Sequence, residues 1–146
     1  MRSSPKGPTS VIGLAISTAR SHLLVADSTS LQLFSLRREL AFVPTAERVA
    51  HLSYDPGTDA YVVLYASGMV EMLHASLACT LRWQAHDVSA EVCASLGPSG
   101  PGGLVVTGGR GLPGSLGAEL KLWMTRAGSA ESGPWSAPLL SSTNQR

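Results

Sequence analysis

The sequence predicts an all-β fold of about three four-stranded antiparallel sheets, one after another along the chain. Three observations carry this expectation. The stretch from Glu119 to Thr125 alternates, with Leu120 and Leu122 on one parity and Lys121 and Trp123 on the other, which is the period of a strand ending in a large aromatic anchor. Two earlier stretches, Leu31 to Leu36 and Val70 to Ala75, share that shape, so that Phe34, Leu73 and Trp123 stand 39 and 50 residues apart. Around the first two lie other short apolar runs bounded by turn residues, four strands to each round of about 40 residues, and the third round begins the same way.

Taken in order, residues 1–10 hold two prolines, a glycine and three serines and read as a flexible lead. Val11 to Ile16, His22 to Ala26, Leu31 to Leu36 and Glu39 to Val43 follow as the strands of a first round, spanning about 11–43. The second round, about 49–84, comprises Val49 to Tyr54, Tyr61 to Tyr65, Met69 to His74 and Thr80 to Gln84. Its Asp55-Pro56-Gly57 is a strong turn, because Pro fixes φ and Gly accepts positive φ. A third round, about 91–126, has Glu91 to Leu96, Leu104 to Thr107 and Leu120 to Thr125, with Gly97 to Gly103 as a loop. Gly133 to Leu139 offers a poor fourth strand, and 127–146 reads as a mostly disordered tail.

Composition narrows the function classes. Hydrophobic residues make up 44% of the 146 and charged residues 14%, which argues against wholesale disorder. Eleven basic and ten acidic residues are scattered, giving neither the basic stripe of a nucleic-acid binder nor an acidic metal cage. No apolar run approaches the roughly 20 residues of a membrane span, and the N-terminus lacks an apolar signal core. Cys79 and Cys93 have no C-x-x-C partner and are expected to be reduced thiols. The expectation is an intracellular protein, cytoplasmic first, with the nucleus, cilium or cytoskeleton as alternatives. It has no nucleic-acid or membrane partner.

A period near 40 with four strands each time is that of propeller blades. Here the chain resembles the WD-repeat family, whose repeats run from a Gly-His pair through a Ser-Gly turn to a strand closing in Trp-Asp. His86 stands at the Gly-His histidine, Thr107-Gly108 is similar to the Ser-Gly, and Trp123 to the Trp. The first round keeps Asp27 as turn aspartate and Phe34 at the Trp position. The second keeps the hydrophobic outline with Leu73 there. The resemblance covers about 11–126 and departs from the pattern in several places. Ala85 replaces the glycine, the path from His86 to Val92 is about two residues longer, Met124 replaces the aspartate, and no aspartate precedes Leu120. The family's buried set of His, Ser/Thr, Asp and Trp is therefore expected to lack one member.

The resemblance implies a partial WD-repeat-like β-propeller. It implies a non-catalytic protein-interaction scaffold without metal or cofactor, whose partners are other proteins. Three blades leave two open flanks, so the missing blades of a longer propeller are among those partners. A different chemistry competes. Gly109 to Gly114 is a literal G-x-G-x-x-G after the strand Leu104 to Thr107, and Leu116, Leu120 and Trp123 at i, i+4, i+7 would allow a helix behind it. That would make the chain a fragment of a nucleotide-dependent oxidoreductase; a third reading, from the resemblance, is a structural component of a cytoskeletal or ciliary assembly. No second parallel strand with an acidic residue follows, however, so an inserted glycine loop is the simpler reading. His22, His51, His74 and His86 lack zinc-site spacing, and nothing in the sequence brings Cys93 to His86 as a nucleophile and base.

Overall fold

The computed structural model describes residues 10–87, 90–99, 102–110, 118–126 and 129–131, and all regular structure among them is strand. The first sheet holds β1 (Gly13–Ser17), β2 (His22–Ala26), β3 (Ser30–Phe34) and β4 (Glu39–Pro44) in spatial order 1-2-3-4. The second repeats this with β5 (Val49–Asp55), β6 (Ala60–Tyr65), β7 (Met69–Leu73) and β8 (Cys79–Gln84). The third has β9 (Ala90–Ser99), β10 (Gly102–Arg110), β11 (Ala118–Arg126) and β12 (Ser129–Glu131). Every pairing is antiparallel between chain neighbours, so each sheet is a simple meander.

Local chemistry closes the turns. The Asp27 carboxylate accepts the Thr29 N–H at 2.8 Å and the Ser30 hydroxyl at 2.9 Å, turning β2 into β3. Asp55 does the same between β5 and β6, accepting the Gly57 N–H at 3.2 Å and the Thr58 hydroxyl at 2.6 Å. Both aspartates satisfy backbone groups that a tight turn leaves unpaired. Between β6 and β7 the turn needs Gly68, whose φ is +95° and where a Cβ would sit 2.0 Å from the His86 carbonyl oxygen.

Alternation then sorts the faces. The second sheet sends Tyr61, Val63, Tyr65 and Leu73 towards the first, where they meet Ala15, Leu24, Leu31 and Leu33. It sends Val62, Leu64, Val70 and Met72 towards the third, where they meet Val105 and Trp123. Covered on both sides, all six residues of β6 are buried. A polar stitch holds the first two sheets at one end. Asp59 accepts the Tyr54 hydroxyl at 2.5 Å and the Ser17 hydroxyl at 3.2 Å, and pairs with Arg20 at 2.9 Å. Among the described residues no sheet packs on the far face of the first, although Val25 and Gln32 on that face are buried. Leu14 and Ile16 are 59% and 58% exposed there, and Phe34, of the same outward parity, is half-buried.

Two expectations need correction, and the competing dinucleotide-loop reading loses its helix. The run from Gly97 to Gly103 is not all loop: Gly97, Pro98 and Ser99 belong to β9 and pair with Leu104, Gly103 and Gly102 of β10. Pairing overrides weak intrinsic propensity, and Pro98 is tolerated because β9 is an edge strand. Residues 129–131, placed in a disordered tail, form β12 against Met124–Arg126. The alternative fourth strand at 133–139 lies outside the described residues. The helix that would follow a dinucleotide loop is absent, since Ala118–Arg126 is strand, and Gly109 and Arg110 are paired within β10; residues 111–117 lie outside the described set.

Candidate functional site: a buried polar chain and an open wedge

Between the second and third sheets four side chains are hydrogen-bonded in series. Trp123 Nε1, which can only donate, gives its proton to Thr107 Oγ1 at 3.0 Å. Thr107 Oγ1 lies 2.8 Å from His86 Nε2, and His86 Nδ1 lies 2.9 Å from Glu119 Oε1. A carboxylate can only accept, so His86 carries a proton on Nδ1, and in the tautomer with its single proton there Nε2 accepts a hydrogen bond from the Thr107 hydroxyl. His86 and Thr107 are almost wholly buried and Trp123 is 7% exposed. The set expected to lack its acidic member is thus complete. Glu119, at the start of β11, is long enough to supply the carboxylate. Its cue was the residue before Leu120, an acid of the wrong length for the pattern.

The same positions in the second sheet carry no such chain. Leu73 lies opposite Tyr61 as Trp123 lies opposite Val105. The Thr45 N–H bonds the Thr29 carbonyl as the Ala85 N–H bonds that of Gly68, which sets Ala46 where His86 stands. Val43 lies opposite Leu31 as Trp83 lies opposite Val70, and both outer pairings carry the same irregularity, at Leu33/Phe34 and Met72/Leu73. Between sheets two and three, Trp83 and Trp123 meet with ring centroids 5.6 Å apart at 55°. Between sheets one and two, Val43 and Leu73 stand in their places, with Ala46 for His86.

The consequence is an open wedge of about 280 Å³. Its walls are Leu31, Val43, Ala46, Leu73 and Leu77, with Glu47, Tyr65, Glu71 and Arg82 supplying the polar groups. The Tyr65 hydroxyl donates to Glu71 at 2.6 Å, Arg82 lies 3.6 Å from Glu71 on the other side, and the Ser67 hydroxyl donates to Glu47. Burial raises the Tyr65 pKa, and Glu71 raises it further as hydrogen-bond acceptor and as charge.

The residues singled out in the sequence therefore divide. His86, Thr107 and Trp123 come together. Asp27 sits apart in its turn, Leu73 lines the wedge and Phe34 faces outward from the first sheet. Among the described residues no cluster of His, Cys, Asp and Glu is arranged to hold a metal ion, and no helix is long and apolar enough to cross a membrane. The Cys93 side chain lies outside the described set.

No protein-family model matches the chain, and no curated protein matches it by sequence. Solved structures do. The WD40 domain of Neurospora crassa Pan2 is similar over 88% of this chain and 40% of its own, with a TM-score of 0.63 at 16% identity. U3-55K is similar over 87% and 38%, with a TM-score of 0.67 at 16% identity. Hydrazine synthase of Kuenenia stuttgartiensis is similar over 83% and 36%, with a TM-score of 0.64 at 11% identity. This chain therefore spans well under half the length of each. At such identities the likeness is one of fold, and the fold is that of a WD40-type β-propeller, built here as three four-stranded antiparallel blades.

Proposed function

We propose that this chain is a non-catalytic interaction scaffold, part of a longer propeller, that holds partner proteins on its blade ends and rims. The observation that supports this reading most is the likeness to WD40 propellers across nearly the whole chain, in a fold whose rigid strands present loops and inter-blade grooves. The buried His86 and Thr107 and the partly exposed Glu119 are spent on one another, which fits a packing role. The far face of the first sheet, on which no described sheet packs, is where a further blade would sit. Its alternation matches that of the covered faces, and the chain spans 40% or less of its structural neighbours.

The test is photo-cross-linking in cells, with a photoreactive residue placed in turn at Ser28, Ser67 and His74. Discrete partner proteins, recurring between positions on one rim, are the expected result. Cross-links to chaperones alone would overturn the reading.

A further inference from the structure

The wedge between the first and second blades is shaped to receive a side chain from outside. We propose that it docks a partner peptide through one long basic side chain, with the aliphatic stem against Val43, Leu73 and Leu77 and the charged end at Glu47 and Glu71. The assignment rests on the scaffold reading and names the chemistry that one of its surfaces takes.

The shape argument comes from the repeat itself. The neighbouring wedge is closed by Trp83, Trp123 and His86, and the equivalent places here hold Val43, Leu73 and Ala46. Three large side chains are replaced by small ones while the strand registers stay the same, so the sheets do not collapse to fill the space. About 280 Å³ remains, below the usual range of a small-molecule site and suited to a single large side chain. The mouth is open: Val43 is 37% exposed, and Ala46 and Cys79 are exposed.

Charge selects the occupant. Two carboxylates and one guanidinium line the wedge, leaving one negative charge in excess. Arg82 already faces Glu71, whereas Glu47 has the neutral Ser67 hydroxyl as its hydrogen-bond donor. The field is visible in the neighbours. After burial, Glu71 is what raises both Tyr65 and Cys79, and Arg82 opposes it in each case. A cation with an apolar stem offsets that excess and covers the aliphatic wall, as lysine and arginine side chains do.

The experiment pans a random heptapeptide phage library on the immobilised chain and measures the enriched peptides, synthesised with a fluorophore, by anisotropy. Each enriched sequence is expected to contain an arginine or lysine whose replacement by norleucine weakens binding about tenfold or more. Glu47→Gln should weaken the parent peptide by a similar factor. Val43→Trp, which restores the indole of the neighbouring wedge, should abolish binding while the variant melts no lower than the parent. Enrichment of sequences without a basic residue overturns the assignment. Binding that survives both Glu47→Gln and Val43→Trp also overturns it, but leaves the scaffold reading intact, because the peptide is then held on another surface. A library that yields no binder overturns it too, and the scaffold reading is judged separately by the cross-linking test, which needs no wedge.

Discussion

Glu119 Oε1 accepts the Nδ1 proton of His86 at 2.9 Å across 33 residues of chain. The bond places a proton on Nδ1 and so bears on the direction of the His86–Thr107 hydrogen bond, while the Trp123 indole donates to Thr107 in any case. One carboxylate thereby orders a polar chain in which two other members are almost completely buried. Glu119→Ala leaves the Nδ1–H of His86 without its acceptor, and a buried donor so stranded costs about 1–3 kcal/mol. Urea denaturation of the variant should show that loss, and Glu119→Gln, which keeps an acceptor oxygen, should lose less. No loss in either variant would mean the bond contributes little, and equal large losses would mean that an amide oxygen does not replace the carboxylate.

Trp123 combines burial, a ring contact with Trp83 and the hydrogen bond to Thr107. Trp123→Ala should cost about 3–5 kcal/mol, the range for emptying an aromatic site in a core. Leu73→Ala, which enlarges a wedge already open to solvent, should cost less. The two denaturation midpoints decide the order.

Tyr61 behaves in the opposite way. It is 1% exposed, its hydroxyl has no hydrogen-bond partner among the described residues, and burial pushes its pKa up to about 12. Removing an unsatisfied buried polar atom is neutral or favourable. Tyr61→Phe should therefore keep or raise the melting temperature, against the usual direction for a buried residue. A clear drop would show that the hydroxyl is satisfied.

Acid should destabilise the chain through two aspartates. Asp27 is buried, which by itself raises its pKa, but the Thr29 and Ser30 groups bonded to the carboxylate outweigh this and hold it below 3.8. Asp59 is held below 3.8 chiefly by the Tyr54 hydroxyl. A carboxylate whose folded pKa is depressed contributes stability that is present above its unfolded pKa and lost as pH falls through the folded value. Urea midpoints should thus begin to decline below about pH 6.5, where His51, its pKa lowered by burial, favours the unfolded chain, and fall steeply below about 4 as the two aspartates protonate. In Asp59→Asn that fall should be shallower.

The exposed apolar stripe of β1 should make the isolated chain associate. Leu14 and Ile16 are exposed on the face of the first sheet on which no described sheet packs. Light scattering should give a mass above 15.2 kDa, with binding of a dye that reports apolar surface. The pair Leu14→Lys and Ile16→Lys should reduce both. A monodisperse monomer without dye binding would show that the three blades close their own surface.

Period-two alternation and turn residues are local properties, and from them the sequence by itself determined the all-β class, the meander order and the inward parity of Trp123. The resemblance added His86 and Thr107 as its companions. Three things were decided only in three dimensions. Gly97 to Ser99 are strand because β10 supplies backbone partners, which outweighs what glycine and proline prefer alone. Residues 129–131 join the third blade because β11 offers an edge to pair with. Glu119 reaches His86 because folding brings the start of β11 beside a residue in the link between two blades, a distance no local pattern encodes. The wedge is of the same kind. Val43, Ala46 and Leu73 are ordinary apolar residues in the chain, and only their superposition on Trp83, His86 and Trp123 turns three small side chains into a cavity.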